Sequence, residues 1–501
     1  MNGHAAANGH ANGHVATTHN YDVVVVGAGI SGINAGYRIQ SNLPNSTYTI
    51  LEGRHDLGGT WSLFKYPGIR SDSDLHTFGF PFNPWEKPNP IATGESIHEY
   101  MTETASKFGI DKHINYNHKV TSANWSSEEQ RWQLEVDHHG TRKVYYAKFV
   151  IMGTGYYNYD KPLDAKIPGL ENFEGQTVHP QFWPEGMDYK GKKMVIIGSG
   201  ATTITIVPAV VDGGVGQVTM LQRSPSYVAN SPQKKIGDKS WYDYLPRWIA
   251  LRIVRIQFIM IPYLFYLFCQ TFPNAARKML TKEAQKQLPP DFKVDPHFKP
   301  VYNPWDQRLC FCPDGDFFKC FESGRAQVVT DTIKRVVKDG IELDSGGKLD
   351  ADIIVTATGL NVQLCGNIQL TVDKQPVDYP SRFLWRTTMI SGVPNLAIVI
   401  GYVNASWTLG SDAAARLITR LIKYMKDNKY TNATPRIKPE ETKNPRLPLN
   451  LTSTYLKKSV DTMPKAGSTG PWKPRENYPR DNWIANRGDL TEGMEFGRVS
   501  T

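Results

Sequence analysis

The sequence predicts an α/β protein made of two Rossmann-like dinucleotide-binding domains with a helical, apolar insertion. Three observations lead there. YDVVVVGAGISG (21–32) and KKMVIIGSGATT (192–203) each run from a β-branched stretch into a glycine fingerprint, and LPRWIALRIVRIQFIMIPYLFYLFCQTFP (245–273) is almost uniformly apolar. With 501 residues and 40% hydrophobic content, the chain can bury more than one core.

In chain order, the leader repeats N-G-H and cannot bury enough surface to offset its ordering entropy, so residues 1–20 are expected to be a disordered tail. It has neither a basic nor an apolar export region, and the expectation is a cytoplasmic enzyme. Folding is predicted to start at Tyr21. The run of four valines reads as a strand, Gly27, Gly29 and Gly32 give G-x-G-x-x-G, and a helix should follow. In this pattern the glycines allow a tight turn and close approach of backbone to a pyrophosphate, which the helix N-terminus attracts. Glu52 ends the next strand, about 20 residues after Gly32, where a carboxylate accepts the hydroxyls of an unphosphorylated ribose. GRHDLGGTW follows, with Gly59, Thr60 and Trp61, and FAD is assigned to this first domain.

In the second copy, Gly198 and Gly200 hold the first two fingerprint positions, Thr203 replaces the third glycine, and Thr202 precedes it. The strand after it ends in Arg223, not in a carboxylate. A guanidinium there can clamp a 2′-phosphate, which points to NADPH. Strand-like KFVIMGTG and ADIIVTATG carry the chain between the domains. The predicted boundaries are 21–165 with 362–501 for the FAD domain, 166–228 with 304–361 for the NADP domain, and 229–303 for the insertion. FEGQTVHPQFWP (173–184) fits neither helix nor strand and reads as a linker anchored by His179 and Trp183; a buried core histidine is the alternative for His179. The apolar run from Ile256 to Cys269 is short for a membrane span, and Pro262 interrupts it, so a transmembrane helix is not expected. Helices over the NADP domain, a substrate funnel and a peripheral membrane contact remain as three readings.

GGTW, YPGIRSD (66–72), both fingerprints, TATG (356–359) and above all F-x-G-x-x-x-H-x-x-x-W-P resemble the class B flavoprotein monooxygenases, in their Baeyer–Villiger branch. LFKYPGIRSDSD, YNPWDQRLC and GYVNASWTL resemble the thioamide-activating subgroup. The resemblance spans Tyr21 to about Arg480. It implies an oxidoreductase in which NADPH reduces FAD and a C4a-peroxyflavin inserts oxygen beside a ketone carbonyl, giving an ester or lactone. Oxygenation of sulfur or nitrogen in lipophilic thioethers, thioamides or amines is the alternative. It also implies Arg308 as the active-site cation, paired with Asp72, with Asp74 close enough to substitute. Gln307 stands where many members carry lysine, which shifts phosphate binding toward Arg223. Small lipophilic substrates and O2 are the expected partners. The net charge of +9 is scattered, without the basic run that nucleic-acid binding calls for. Five cysteines without C-x-x-C support neither a metal site nor a disulfide reductase. Trp472, in the C-terminal tail, is placed near the active site.

Overall fold

A computed structural model describes residues 18–233, 240–402, 404–448, 462–475 and 477–498. The N-G-H repeats lie outside the described residues. Strand β1 spans Thr18–Val26, three residues earlier than the tail assignment allows, because Thr18 already pairs with Val144. Helix α1 (Ile30–Asn42) and β2 (Tyr48–Leu51) complete the first βαβ unit. Short helices α2 (Thr60–Leu63) and α3 (Leu75–Phe78) and the longer α4 (Gly94–Lys107) follow. Next come β3 (Ile114–Asn115), β4 (Lys119–Ser126), β5 (Arg131–His138) and β6 (Thr141–Met152). β6, β1, β2 and β3 run parallel, and at Val23–Val26 the sheet is buried on both faces, which explains why that run has no alternation.

The second domain opens with β7 (Gln176–Val178), β8 (Lys193–Ile197), α5 (Ala201–Asp212) and β9 (Gln217–Gln222). β10 (Val228–Ser231) leads out to α6 (Arg247–Thr271), α7 (Pro273–Gln287) and α8 (Val294–His297), and β11 (Cys310–Pro313) returns to pair with β10. After α9 (Asp316–Lys319), β12 (Ala326–Thr330) joins the sheet edge, β13 (Ile333–Val337), β14 (Gly340–Leu343) and β15 (Lys348–Asp350) form a small antiparallel sheet, and β16 (Ile353–Thr356) enters between β8 and β7. The result is a parallel sheet ordered β12-β9-β8-β16-β7. Strands at 369–398 rejoin the first sheet, and a helix over Trp407–Asp427 packs on α1.

Two expectations change. Residues 173–184 are not irregular throughout: β7 is an edge strand on β16, and Pro180–Phe182 is a 3-10 turn. Three residues are too few for an alternation to be visible. The second change is α6, which runs unbroken through Pro262 for 25 residues and is long and apolar enough to cross a membrane by length and composition. Proline removes one helical hydrogen bond and can kink a helix without ending it, and the strong apolar helix formers on both sides of Pro262 carry α6 through.

Candidate active site

The segment Tyr66–Asp74 binds the parts together through alternate residues. Gly68 has φ +73° and lies so close to α5 that a Cβ would meet Thr205 O at 2.8 Å, so only glycine fits. Arg70 pairs with Asp316 at the start of α9. Asp72 meets Arg308 in a two-pronged ion pair: Nε to Oδ2 at 2.8 Å and Nη2 to Oδ1 at 2.9 Å. Asp74 caps α3, its Oδ1 accepting from Thr77 N at 2.7 Å and its Oδ2 from Thr77 Oγ1 at 2.6 Å. Thr77 Oγ1 also meets Ser406 Oγ at 2.6 Å. Burial pushes the Asp74 carboxyl up to about 6, against the pull of Thr77 and Arg255.

Arg308 is held from its own side as well. Trp305 takes φ +74°, Asp306 N donates to Asn303 O at 3.0 Å, and Arg277 of α7 donates to Asn303 Oδ1 at 2.7 Å. Leu309, next in the chain, is buried with Tyr227 and Leu280. Arg308 Nη2 also reaches Ser73 Oγ at 3.3 Å.

The ion pair stands between two cavities. One runs from Gly29, Ile30 and Ser31 past Gly59, Thr60 and Trp61 to Ala201 and Thr202. The other is walled by Phe258, Ile259, Pro262 and Phe265 of α6 and by Leu409, with Asp74, Thr77, Ser231, Asn404 and Ser406 among its polar lining. Asp72, Ser73 and Arg308 line both.

The first cavity fits two dinucleotides. At both ends it meets the N-terminus of a helix of 12 or 13 residues, α5 or α1, with glycine as N-cap, no capping side chain and no acid in the first turn. An uncapped helix N-terminus of this kind suits a phosphate. A Cβ on Gly200 would meet nothing within 4 Å, whereas on Gly32 it would lie 1.8 Å from Gly27 O. The second position closes the turn, and the first borders open space.

The sequence-derived residues separate into two groups. Gly29, Gly59, Thr60, Trp61, Asp72, His179, Thr202 and Arg308 line the cleft. Gly27 and Gly198, at φ +96° and +141°, shape the turns behind it. Glu52 is buried and accepts from Ala28 N at 2.7 Å and Arg54 N at 2.9 Å; burial raises its pKa against those hydrogen bonds. Thr203 is fully buried against Gly198, and its hydroxyl has no hydrogen-bond partner there. Trp183 sits in the second domain's core, Arg223 is exposed just past β9, and neither lines the cleft. His179 Nδ1 accepts from Gln181 N at 3.2 Å, and burial lowers the ring's pKa. Trp472 lines neither cavity: it is fully buried in the first domain's core, away from where the sequence reading put it.

Sequence reasoning missed Arg70, Thr77, Ser406 and the aromatic wall of Tyr156 stacked on Trp407 at 4.8 Å. For Arg70 a signal existed, since it alternates with Asp72 and Asp74 in an extended turn. The cysteines are buried, with Cys310, Cys312, Cys320 and Cys365 pushed up to about 12 by burial, which leaves no thiolate for dithiol chemistry.

A family model described as pyridine nucleotide-disulphide oxidoreductase matches residues 24–242. The chain is 45% identical over 482 residues to the FAD-containing monooxygenase EthA of Mycobacterium tuberculosis (strain ATCC 25618 / H37Rv), covering 96% of this chain and 98% of that one. It is 44% identical over 475 residues to the probable FAD-binding monooxygenase AlmA of Acinetobacter baylyi, covering 94% and 95%. Among solved structures, an oxidised steroid monooxygenase bound to NADP superposes with TM-score 0.73 at 20% identity, covering 96% of this chain and all of that one. A cyclohexanone monooxygenase from Rhodococcus sp. Phi1 bound to NADP+ gives 0.72 at 19%, with the same coverage. At such identities the likeness is one of fold.

Proposed function

The chain belongs to the FAD-containing, NADPH-dependent class B flavin monooxygenases, and from that premise we propose that it inserts oxygen beside the carbonyl of lipophilic ketones. One observation carries this reading: the Arg308–Asp72 pair lines both the dinucleotide cleft and the apolar cavity. Ketone, O2, NADPH and a proton give ester or lactone, NADP+ and water. When bound, FAD reduced by NADPH supplies the oxygen activation. The chain supplies the rest.

Gly27, Gly29 and Gly32 with the α1 N-terminus would hold FAD, and Glu52 its ribose; Gly59, Thr60 and Trp61 would flank it. Gly198, Gly200, Thr202 and Thr203 would hold NADPH, with Arg223 on its 2′-phosphate. His179 and Trp183 would fix the segment joining the two domains. The apolar cavity admits the ketone and excludes water, so that charge developing at the junction is little screened. Arg308 N–H groups at the junction stabilise negative charge growing on the carbonyl oxygen as its carbon becomes tetrahedral. Asp72 orients the guanidinium through two charge-assisted bonds.

The same pair favours a second reading, sulfur oxygenation. Asp72 compensates the Arg308 charge, and a less cationic junction suits attack by a neutral thioether. NADPH oxidation, O2 uptake and mass-spectrometric product analysis over ketones and thioethers test the proposal. An ester or lactone one oxygen heavier than the ketone supports it, whereas sulfoxide alone, with every ketone unchanged, contradicts it.

A further inference from the structure

Helix α6 has two unlike faces. Inward, Ala250, Val254 and Cys269 are buried, and Phe258, Ile259, Pro262 and Phe265 wall the apolar cavity. Arg255 turns inward too, its Nη1 donating to His76 O at 2.7 Å and Gly79 O at 2.9 Å, at the C-terminal end of α3. Outward, Ile256, Met260, Leu264 and Leu267 recur at the spacing of one helical face, each between 38% and 58% exposed. Ile261 and Phe272 are exposed beside them, and Ile261 also lines the cavity, so the cavity's rim lies at this surface. No charged residue occurs from Ile256 to Thr271.

What borders this face says what would cover it. At the N-terminal end stand exposed Trp241, Tyr244 and Trp248, with Arg252 placed 5.1 Å over the Trp248 ring, while Arg247 pairs with Glu86 and Asp243 is the one exposed acid among them. At the other end α7 carries exposed Lys278 and Lys282, with its exposed acid Glu283 neutralised by Lys286. An apolar face bracketed by interfacial aromatics and by cations matches the boundary of a bilayer with anionic headgroups. A protein partner would need acidic groups at both ends and an apolar centre, whereas anionic lipid offers both along any direction. Arg255 and the cavity-lining residues commit the inner face to the protein, which leaves only the outer face for lipid and is incompatible with a bilayer crossing.

We propose that α6 docks this protein on the surface of an anionic membrane, with lipophilic substrates entering the cavity past Ile261. The docking stands on its own geometry. The entry route rests on the cavity being the substrate site.

Flotation of the FAD-loaded enzyme with phosphatidylglycerol-containing or pure phosphatidylcholine vesicles tests it. The wild type is expected to float with the anionic vesicles, at least about tenfold more than with neutral ones, and to be released by a carbonate wash. Leu264→Glu with Leu267→Glu should lower flotation at least about tenfold and leave oxidation of a small water-soluble ketone unchanged. If that double variant misfolds, Ile256→Ser with Met260→Ser provides the same test. Absence of flotation, flotation insensitive to both variants, or retention after carbonate overturns the proposal. A dimer that dissociates in the variants, without vesicle binding, assigns the face to a second copy and overturns it equally. Flotation needs no turnover, so failure of the ketone reading leaves this result standing.

Discussion

Replacing Asp74 with asparagine should remove a charge that burial makes costly. The carboxyl lines the apolar cavity and is raised from its ordinary 3.8 to about 6, chiefly by desolvation. A raised acid means that the folded state binds the proton more tightly than the unfolded state. Stability is therefore highest below about pH 4 as far as this group is concerned, and falls as pH rises through 6. Over about 2 pK units at about 1.4 kcal/mol each, the full loss is at most about 3 kcal/mol above pH 7. Asparagine keeps an oxygen for Thr77 N, so the α3 cap survives. The variant and the wild type should melt alike near pH 4, while at pH 7.5 the variant should melt several degrees higher. Thermal unfolding followed by flavin fluorescence from pH 4 to 8 measures the difference. Melting curves that stay parallel across that range would refute the reasoning.

Other substitutions separate binding from folding. Gly32→Ala sets a Cβ 1.8 Å from Gly27 O and should cost the FAD complement and the fold, whereas Gly200→Ala meets open space. The latter should change stability by no more than about 1 kcal/mol and raise the KM for NADPH; equal thermal losses in both would contradict the cleft's division. Arg223→Ala should raise the KM for NADPH on the order of tenfold or more with NADH nearly unaffected, and equal effects would remove the 2′-phosphate assignment. Asp72→Asn, Arg308→Ala and the double variant form a cycle in ester formation, with coupling expected at about 1.5–3 kcal/mol. Additive losses would mean that the pair does not act as a unit.

What could be read from the chain was whatever is local. The two fingerprints are turns whose conformation the glycines themselves dictate, and the structure builds a helix N-terminus from each. Arg308 and Asp72 came from motif resemblance, and their 2.8 Å contact depends on two loops far apart in sequence. Long-range partners without a motif stayed invisible, such as Arg255 on the α3 carbonyls and Ser406 on Thr77. Pro262 misled because one missing hydrogen bond does not end a 25-residue helix whose remaining bonds are local and intact. Trp472 misled for the opposite reason, since an aromatic in a polar tail gives no sign of the core that receives it.

The central claim is that the Arg308 guanidinium, at the junction of cleft and cavity, turns reducing power into oxygen insertion. The most direct test is the ratio of ester formed to NADPH consumed in Arg308→Ala beside the wild type, with flavin reduction timed separately. Flavin reduction should change little, ester should fall on the order of 10²- to 10³-fold, and hydrogen peroxide should account for the NADPH lost. Ester made at the wild-type ratio by the alanine variant would contradict the account.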